Sequence, residues 1–102
     1  MKRYQVVFTK NADTQASAIE DWWIENRPAA PEMFARELDA IVRLLERSPM
    51  LGTTYAEAPV PGVRRILIGR SRYHVYREVD VPARIVTITA VWHSGRGSGP
   101  QF

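Results

Sequence analysis

Apolar and polar positions alternate at the start of the chain. Between Arg3 and Thr9, the side chains of Tyr4, Val6 and Phe8 occupy every second position, and aromatic and β-branched residues are frequent. This pattern predicts a β-strand, because successive side chains of a strand point to opposite faces of a sheet. The spacing of the apolar residues then changes, so the strand is predicted to be short.

Two helical segments follow this strand. Residues 11–14 include several side chains that can cap a helix start, and the helix is predicted to continue to about Asn26. The apolar stripe of this first helix consists of Ala12, Ala16, Ile19 and Trp23. Pro31 and Glu32 suit the first turn of a second helix. This helix is predicted to end at Ser48, Pro49 and Gly52. The apolar stripe of the second helix consists of Phe34, Leu38, Ile41 and Leu45.

The second half of the chain contains three strand-like runs. They cover residues 63–68, 72–79 and 84–93, and the two connections between them are short enough for hairpins. The order β-α-α-β-β-β predicts an α+β fold in which two helices pack on a mostly antiparallel four-stranded sheet. The length of 102 residues fits a single domain over residues 1–102.

Composition excludes several classes of function. The chain has no cysteine, which excludes a disulfide framework, a thiolate metal site and a cysteine nucleophile, and which fits the reducing cytoplasm. Two histidines without a carboxylate at ligand spacing predict no metal site and no cofactor. No apolar run approaches the roughly 20 residues needed to cross a bilayer, so we expect no membrane partner.

The two halves of the chain carry opposite charge. Residues 11–48 contain eight acids and four arginines, whereas residues 59–102 contain seven arginines and only two acids. Arginine pairs bidentately with carboxylate and phosphate groups, so the basic half predicts an acidic or polyanionic partner. The alternative is a solvated surface on which charges happen to cluster.

Alternation along each strand separates two faces. In the last strand, we assign the apolar face to Val86, Ile88, Ala90 and Trp92, with Thr87, Thr89, Val91 and His93 opposite. In the middle strand, Tyr73, Val75 and Val79 form the predicted core set, which Arg77 interrupts. For residues 63–68 either Ile66 and Ile68 or Val63 and Leu67 can face the core. If the helices cover the first-named sets, the uncovered face collects Arg65, Arg72, His74, Tyr76 and His93.

Several short motifs occur in a characteristic order along the chain. They are Tyr4-x-Val6-x-Phe8-Thr9, Ser48-Pro49-x-x-Gly52, Gly62-Val63-Arg64-Arg65, the run from Arg72 to Arg77, and Val91-Trp92-His93-x-x-Arg96-Gly97. Together they resemble the motifs of the RelE/ParE toxin superfamily of type II toxin–antitoxin modules. Each motif is short, but their order and spacing cover nearly the whole chain. The Tyr73-His74-Val75-Tyr76 string is more similar to the ParE branch.

The resemblance implies two alternative activities. ParE-like toxins inhibit DNA gyrase without any known hydrolysis, whereas RelE-like toxins cleave messenger RNA in the ribosomal decoding site. We favour the gyrase inhibitor. For the ribonuclease, the implied catalytic residues are His93, Arg65, Arg72 and Tyr76. For binding of a target or antitoxin, the candidate residues are Arg64, Arg65, Arg72, His74, Tyr76, Trp92, His93 and Arg96. A third alternative is a non-enzymatic basic binding module.

The resemblance also implies partners. A cognate antitoxin with an acidic amphipathic segment is expected to fold on this toxin and neutralise it. Operator DNA is expected to be contacted only through the antitoxin.

Overall fold

The computed structural model describes residues 3–96 and 99–102, and it shows two helices packed on a five-stranded sheet. The elements in chain order are β1 (Gln5–Phe8), α1 (Lys10–Asn26), α2 (Met33–Arg47), β2 (Thr53–Thr54), β3 (Arg64–Leu67), β4 (Tyr73–Asp80) and β5 (Ile85–His93). The predicted α+β class and the order of helices and main strands are confirmed.

The strands lie side by side in the order β1-β5-β4-β3-β2. The first strand therefore pairs with the last, and it does so in parallel, with Gln5 opposite Ile85 and Phe8 opposite Ile88. All other neighbours are antiparallel. Pairing of β1 with only the first part of β5 leaves the later part of β5 without a strand on that side.

The predicted strand count of four was wrong by one, because Thr53–Thr54 forms a short fifth strand against Arg65 and Arg64. Gly52 makes this pairing possible. Its φ of 91° is in the region that favours glycine, and a Cβ atom there would lie 2.1 Å from the carbonyl oxygen of Arg65. A two-residue strand is too short to show alternation in the sequence.

Both predicted helical stripes face the core. Ala12 and Ala16 of α1 are buried, as are Phe34 and Leu45 of α2. The helix α1 begins slightly earlier than the predicted caps, because the hydroxyl of Thr9 accepts a 3.1 Å hydrogen bond from the N–H of Ala12. The remaining stripe residues Ile19, Trp23, Leu38 and Ile41 pack against the same core.

A β-bulge in β5 changes which side chains share a face. Tyr76 lies opposite Ala90, but the next residue, Arg77, lies opposite Ile88, so Thr89 has no partner on β4. One extra residue reverses the alternation that follows it. Our assignment for the later half of β5 was therefore wrong: Val91 packs under the helices, whereas Ala90 and Trp92 face away from them.

The side of the sheet away from α1 and α2 is called the outer face below. It has its own small core, in which Val63, Tyr76 and Ala90 are buried. Tyr55, Ala58 and Trp92 pack against this cluster. Within the described residues, no helix has the length and apolar character needed to span a membrane.

Candidate functional site

Arg65, His74 and Tyr76 meet on the outer face, as the sequence predicted. Strand register places Arg65 directly opposite Tyr76, and His74 directly opposite Trp92. The alternative that places Ile66 and Ile68 under the helices is the one that the structure shows, and it turns Arg65 outward. We call Arg65, His74 and Tyr76, with Tyr55, the outer-face cluster.

Aromatic contacts hold the outer-face cluster together. The Arg65 guanidinium lies 5.0 Å from the centre of the Tyr55 ring, and the Tyr55 and Tyr76 ring centres are 4.9 Å apart. The His74 and Tyr76 rings are 5.9 Å apart. Because Tyr76 is only 2% exposed, its ring forms the floor of the cluster. A cavity of about 350 Å³ lies above this floor and is lined by Arg65 and His74.

The electrostatics of this cluster keep its histidine neutral. Partial burial lowers the pKa of His74 below its ordinary value, and the charges of Arg65 and Arg72 lower that pKa further. Burial and the Glu57 carboxylate raise the pKa of the Tyr55 hydroxyl. At neutral pH the cluster therefore presents a fixed guanidinium charge beside a neutral imidazole.

Contrary to the expectation from the sequence, His93 and Arg72 do not join the outer-face cluster. Because the bulge shifts the phase of β5, His93 lies opposite Tyr73, and the two rings are 5.0 Å apart at 83°. The Nδ1 atom of His93 accepts a 3.0 Å hydrogen bond from the N–H of Gly95, which leaves the proton of a neutral imidazole on Nε2. Arg72 occupies the β3–β4 turn with a φ of 64°.

The Arg64 side chain is hydrogen-bonded to the backbone of the preceding loop. Its Nε and Nη2 atoms donate 3.0 Å hydrogen bonds to the carbonyl oxygens of Met50 and Gly52. These contacts hold the segment that leads into β2. Arg64 therefore positions the loop that leads to the outer-face cluster, and two of its donors are occupied by carbonyl oxygens of that loop.

The tail contributes an aromatic residue that the sequence did not reveal. The Phe102 ring lies 5.5 Å from Tyr76 and 6.3 Å from Tyr55. Asn11 and Gln15 of α1 each donate a 2.9 Å hydrogen bond to the carbonyl oxygen of Gln101. Residues 99–102 belong to no periodic pattern of apolar positions, so the sequence offered no reason to predict the contacts of Phe102. Gly97 of the quoted motif lies outside the described residues.

A second and larger cavity lies on the other side of the sheet. It has a volume of about 750 Å³ and runs between the later half of α1, the β3–β4 turn and the end of β5. We call it the α1–β5 cavity. The candidate residues on its walls are Arg72, Trp92, His93 and Arg96, of which the last three also border the outer-face cavity.

Four of the candidate residues line one cavity each, and three border both. Arg65, His74 and Tyr76 line the outer-face cavity, whereas Arg72 lines only the α1–β5 cavity. The guanidinium of Arg96 lies 4.4 Å from the Trp92 ring centre, between the two. In the described part of the chain, no three residues among histidines and acids are placed to hold a metal ion.

Residues 6–97 match the model of a protein family, described as ParE toxin of type II toxin–antitoxin system, parDE. The chain belongs to the ParE toxin family. The matched residues include both helices and the strands from β2 to β5. The match places the chain among the toxins of type II toxin–antitoxin systems and confirms the RelE/ParE resemblance.

Solved structures have the same fold at low sequence identity. The chromosomal ParDE system from P. aeruginosa matches with a TM-score of 0.70 and 18% identity, over 89% of this chain and 96% of that one. The RelBE2 toxin–antitoxin complex from Mycobacterium tuberculosis gives 0.66 and 20%, over 94% and 97%. The archaeal RelE–RelB complex from Pyrococcus horikoshii gives 0.64 and 15%, over 93% and 99%. No curated protein sequence matches this toxin.

Proposed function

We propose that this ParE-family toxin inhibits DNA gyrase by binding it through the outer-face cluster, without chemistry of its own. The observation that carries the proposal is that the residues implied for cleavage do not line one cavity. A metal-free ribonuclease needs a proton-transfer group and several cations around one phosphate. Here Arg65 lines the outer-face cavity and Arg72 lines the α1–β5 cavity, whereas His93 packs on Tyr73 where the two cavities meet.

The outer-face cluster has the properties of a protein-binding surface. It combines an accessible arginine with aromatic rings that other side chains already hold in place, and aromatic and arginine side chains dominate the energy of many interfaces. Its floor is rigid because Tyr76 is buried against Val63 and Ala90. A partner therefore gains contacts without having to order this part of the toxin.

We also propose that a cognate antitoxin neutralises the toxin with an acidic amphipathic segment. The basic second half of the chain supports this partner, because Arg65, Arg72 and Arg96 form no ion pair with an acid among the described residues. Carboxylates of the segment are expected to pair with these guanidinium groups. Operator DNA is then contacted only through the antitoxin.

Gyrase supercoiling in the presence of purified toxin tests the target. We expect the toxin to block supercoiling and Arg65→Glu to abolish the block, because the substitution reverses the charge at the centre of the cluster. Arg43→Glu is the matched control, since Arg43 is an exposed arginine on α2 whose pairing with Asp39 is a surface contact. Unhindered supercoiling together with cleavage of translated messenger RNA would contradict the proposal.

A ribosome-dependent ribonuclease is the second candidate, and one observation favours it. His74 is neutral at physiological pH and lies beside Arg65, so a proton acceptor and a cation share the outer face. His74→Gln distinguishes the candidates. A ribonuclease that uses this imidazole loses about 10²- to 10⁴-fold in cleavage rate, whereas a gyrase inhibitor cleaves no messenger RNA with either residue, and its block weakens only by the contact of one side chain. In the same assay, His93→Ala is expected to leave gyrase inhibition unchanged.

A further inference from the structure

Trp22, Arg27 and Arg70 of the α1–β5 cavity have no part in the proposed function. The cavity lies on the helix side of the sheet and meets the outer-face cavity at Trp92, His93 and Arg96. We propose that this cavity binds a nucleotide unit, a nucleobase joined to a phosphate, supplied either as a free nucleotide or within single-stranded nucleic acid. The inference does not depend on whether gyrase is the target.

The charge of the cavity is positive throughout. Four arginines line it, Arg27, Arg70, Arg72 and Arg96, and no aspartate or glutamate does. The ion pairs among the described residues are between Arg36 and Glu32 and between Arg43 and Asp39, both on α2. The cavity arginines are therefore available to an anion, and guanidinium groups bind phosphate bidentately.

The walls of the cavity offer flat aromatic surfaces beside these charges. Trp22 is 43% exposed, and its ring meets that of Trp23 edge to face at 5.9 Å and 72°. The Arg27 guanidinium lies 4.9 Å from the Trp22 ring centre. Aromatic rings bordered by arginine are the arrangement on which unpaired bases stack in proteins that bind single strands.

Hydrogen-bonding capacity favours a nucleotide over a peptide. Within the described part of the chain, Trp23 Nε1 is buried without a hydrogen-bond partner, and its side chain lines the cavity. His93 has its proton on Nε2, and the side-chain oxygen of Gln15 already accepts from the N–H of Val91. The lining thus supplies mainly donors. A phosphate and a base edge supply mainly acceptors, whereas each peptide unit brings a donor of its own.

Binding of defined probes to the purified toxin tests the inference without gyrase. The probes are a fluorescent single-stranded 12-nucleotide DNA, guanosine 5′-monophosphate and inorganic phosphate, measured by anisotropy, by tryptophan fluorescence and by competition. We expect the oligonucleotide or the mononucleotide to bind and to quench tryptophan emission. If only the mononucleotide binds, the natural ligand is a free nucleotide. If the oligonucleotide binds more tightly, the natural ligand is single-stranded nucleic acid. Competition by inorganic phosphate alone, with no nucleotide binding, would overturn the inference.

Two variants locate the bound probe. Trp22→Ala is expected to weaken binding by about 5- to 150-fold, the range found when a base-stacking aromatic is removed. Arg72→Gln should lower the salt dependence, reducing the slope of log K against log salt by about 0.7. The matched controls are Ile24→Ala, an exposed apolar residue of α1 outside the cavity, and Arg43→Gln.

Three results would overturn the inference. One is an equal loss of affinity in the cavity variants and their controls, since binding would then be non-specific attraction. Another is a failure of all nucleotide probes to bind at low salt, where electrostatic attraction is strongest. The third is tighter binding of a peptide with alternating glutamate and phenylalanine, sensitive to the same two substitutions, because the cavity would then be a peptide site.

Discussion

Nε of the buried Arg77 donates a 2.9 Å hydrogen bond to the carbonyl oxygen of Pro49. Its Nη2 atom donates a second hydrogen bond to Leu51. Arg64, directly opposite on β3, binds the carbonyl oxygens of Met50 and Gly52. Along residues 49–52, successive carbonyl groups therefore accept hydrogen bonds from Arg77 and Arg64 in alternation. These hydrogen bonds fix the loop that leads into β2.

Loss of the Arg77 guanidinium should destabilise the fold. Arg77 is 0% exposed, and burial together with the nearby Arg64 lowers its pKa to about 10, so it remains charged at neutral pH. Arg77→Ala removes two charge-assisted hydrogen bonds and leaves a cavity, for which we expect a decrease of about 3–5 kcal/mol in the free energy of unfolding. Urea denaturation at pH 7 measures this decrease. Arg84→Ala, on the exposed β4–β5 turn, should change stability by less than about 0.5 kcal/mol.

The protonation of His74 should report the charge of its neighbours. We expect an NMR titration midpoint below 6.5, because burial and then Arg65 and Arg72 disfavour the imidazolium. Arg65→Gln should raise the midpoint without returning it to 6.5, since burial is the largest cause and remains. Arg43→Gln should leave it unchanged. If the titration midpoint of His74 is unchanged in Arg65→Gln, the two side chains do not interact.

The same shift predicts how stability varies with pH. Because the folded-state pKa of His74 is lower than the unfolded value of 6.5, the unfolded chain binds the proton more readily. The contribution of His74 is therefore complete above pH 6.5 and decreases as the pH falls towards the folded pKa. In urea denaturation at pH 7.5 and pH 5, the wild type should lose more stability on acidification than His74→Gln does. Equal losses of stability in the two proteins would show that His74 does not cause the pH dependence.

Glu37 of α2 should stabilise the β3–β4 turn. Its two carboxylate oxygens accept 2.8 Å hydrogen bonds from the N–H groups of Arg70 and Ser71. Burial raises the pKa of Glu37, but hydrogen bonds from Ser71 and Arg70 outweigh it, and the net shift is downward. The stabilisation is thus present above the unfolded pKa of about 4.5 and is lost as the pH falls through the folded value.

Replacement of this carboxylate tests the turn contact. Glu37→Gln retains one acceptor oxygen and loses the charge, so we expect a loss of about 1–2 kcal/mol at pH 7. The loss should shrink at pH 3, where the wild-type carboxylate is itself protonated. Asp39→Asn is the control, because Asp39 lies exposed on the same helix. An equal effect of the two substitutions would point to general helix electrostatics and not to the turn.

Regular periodicity made most of the fold predictable. The stripes that contain Ala16 and Leu45, and the alternation of Tyr73 and Val75, all indicated the buried side correctly. What the sequence could not show was the extra residue at Thr89, because a bulge leaves the residue types unchanged and only shifts their phase. Because of that shift, His93 packs against Tyr73 and does not join Arg65 on the outer face as expected.

Side chains of α1 supply hydrogen bonds to the backbone of β5 at and beyond the bulge. The amide of Asn11 donates a 3.1 Å hydrogen bond to the carbonyl oxygen of Thr89, and Gln15 accepts a 2.8 Å hydrogen bond from the N–H of Val91. These amides replace the strand partner that β1 does not provide. Buried backbone groups need such partners. Gln15→Ala should therefore accelerate hydrogen exchange of the Val91 amide by about 5- to 30-fold, the equivalent of one lost hydrogen bond. Ser17→Ala, at an exposed position of α1, should leave that rate unchanged, and an unchanged rate in Gln15→Ala would mean that the bulge is stable without α1.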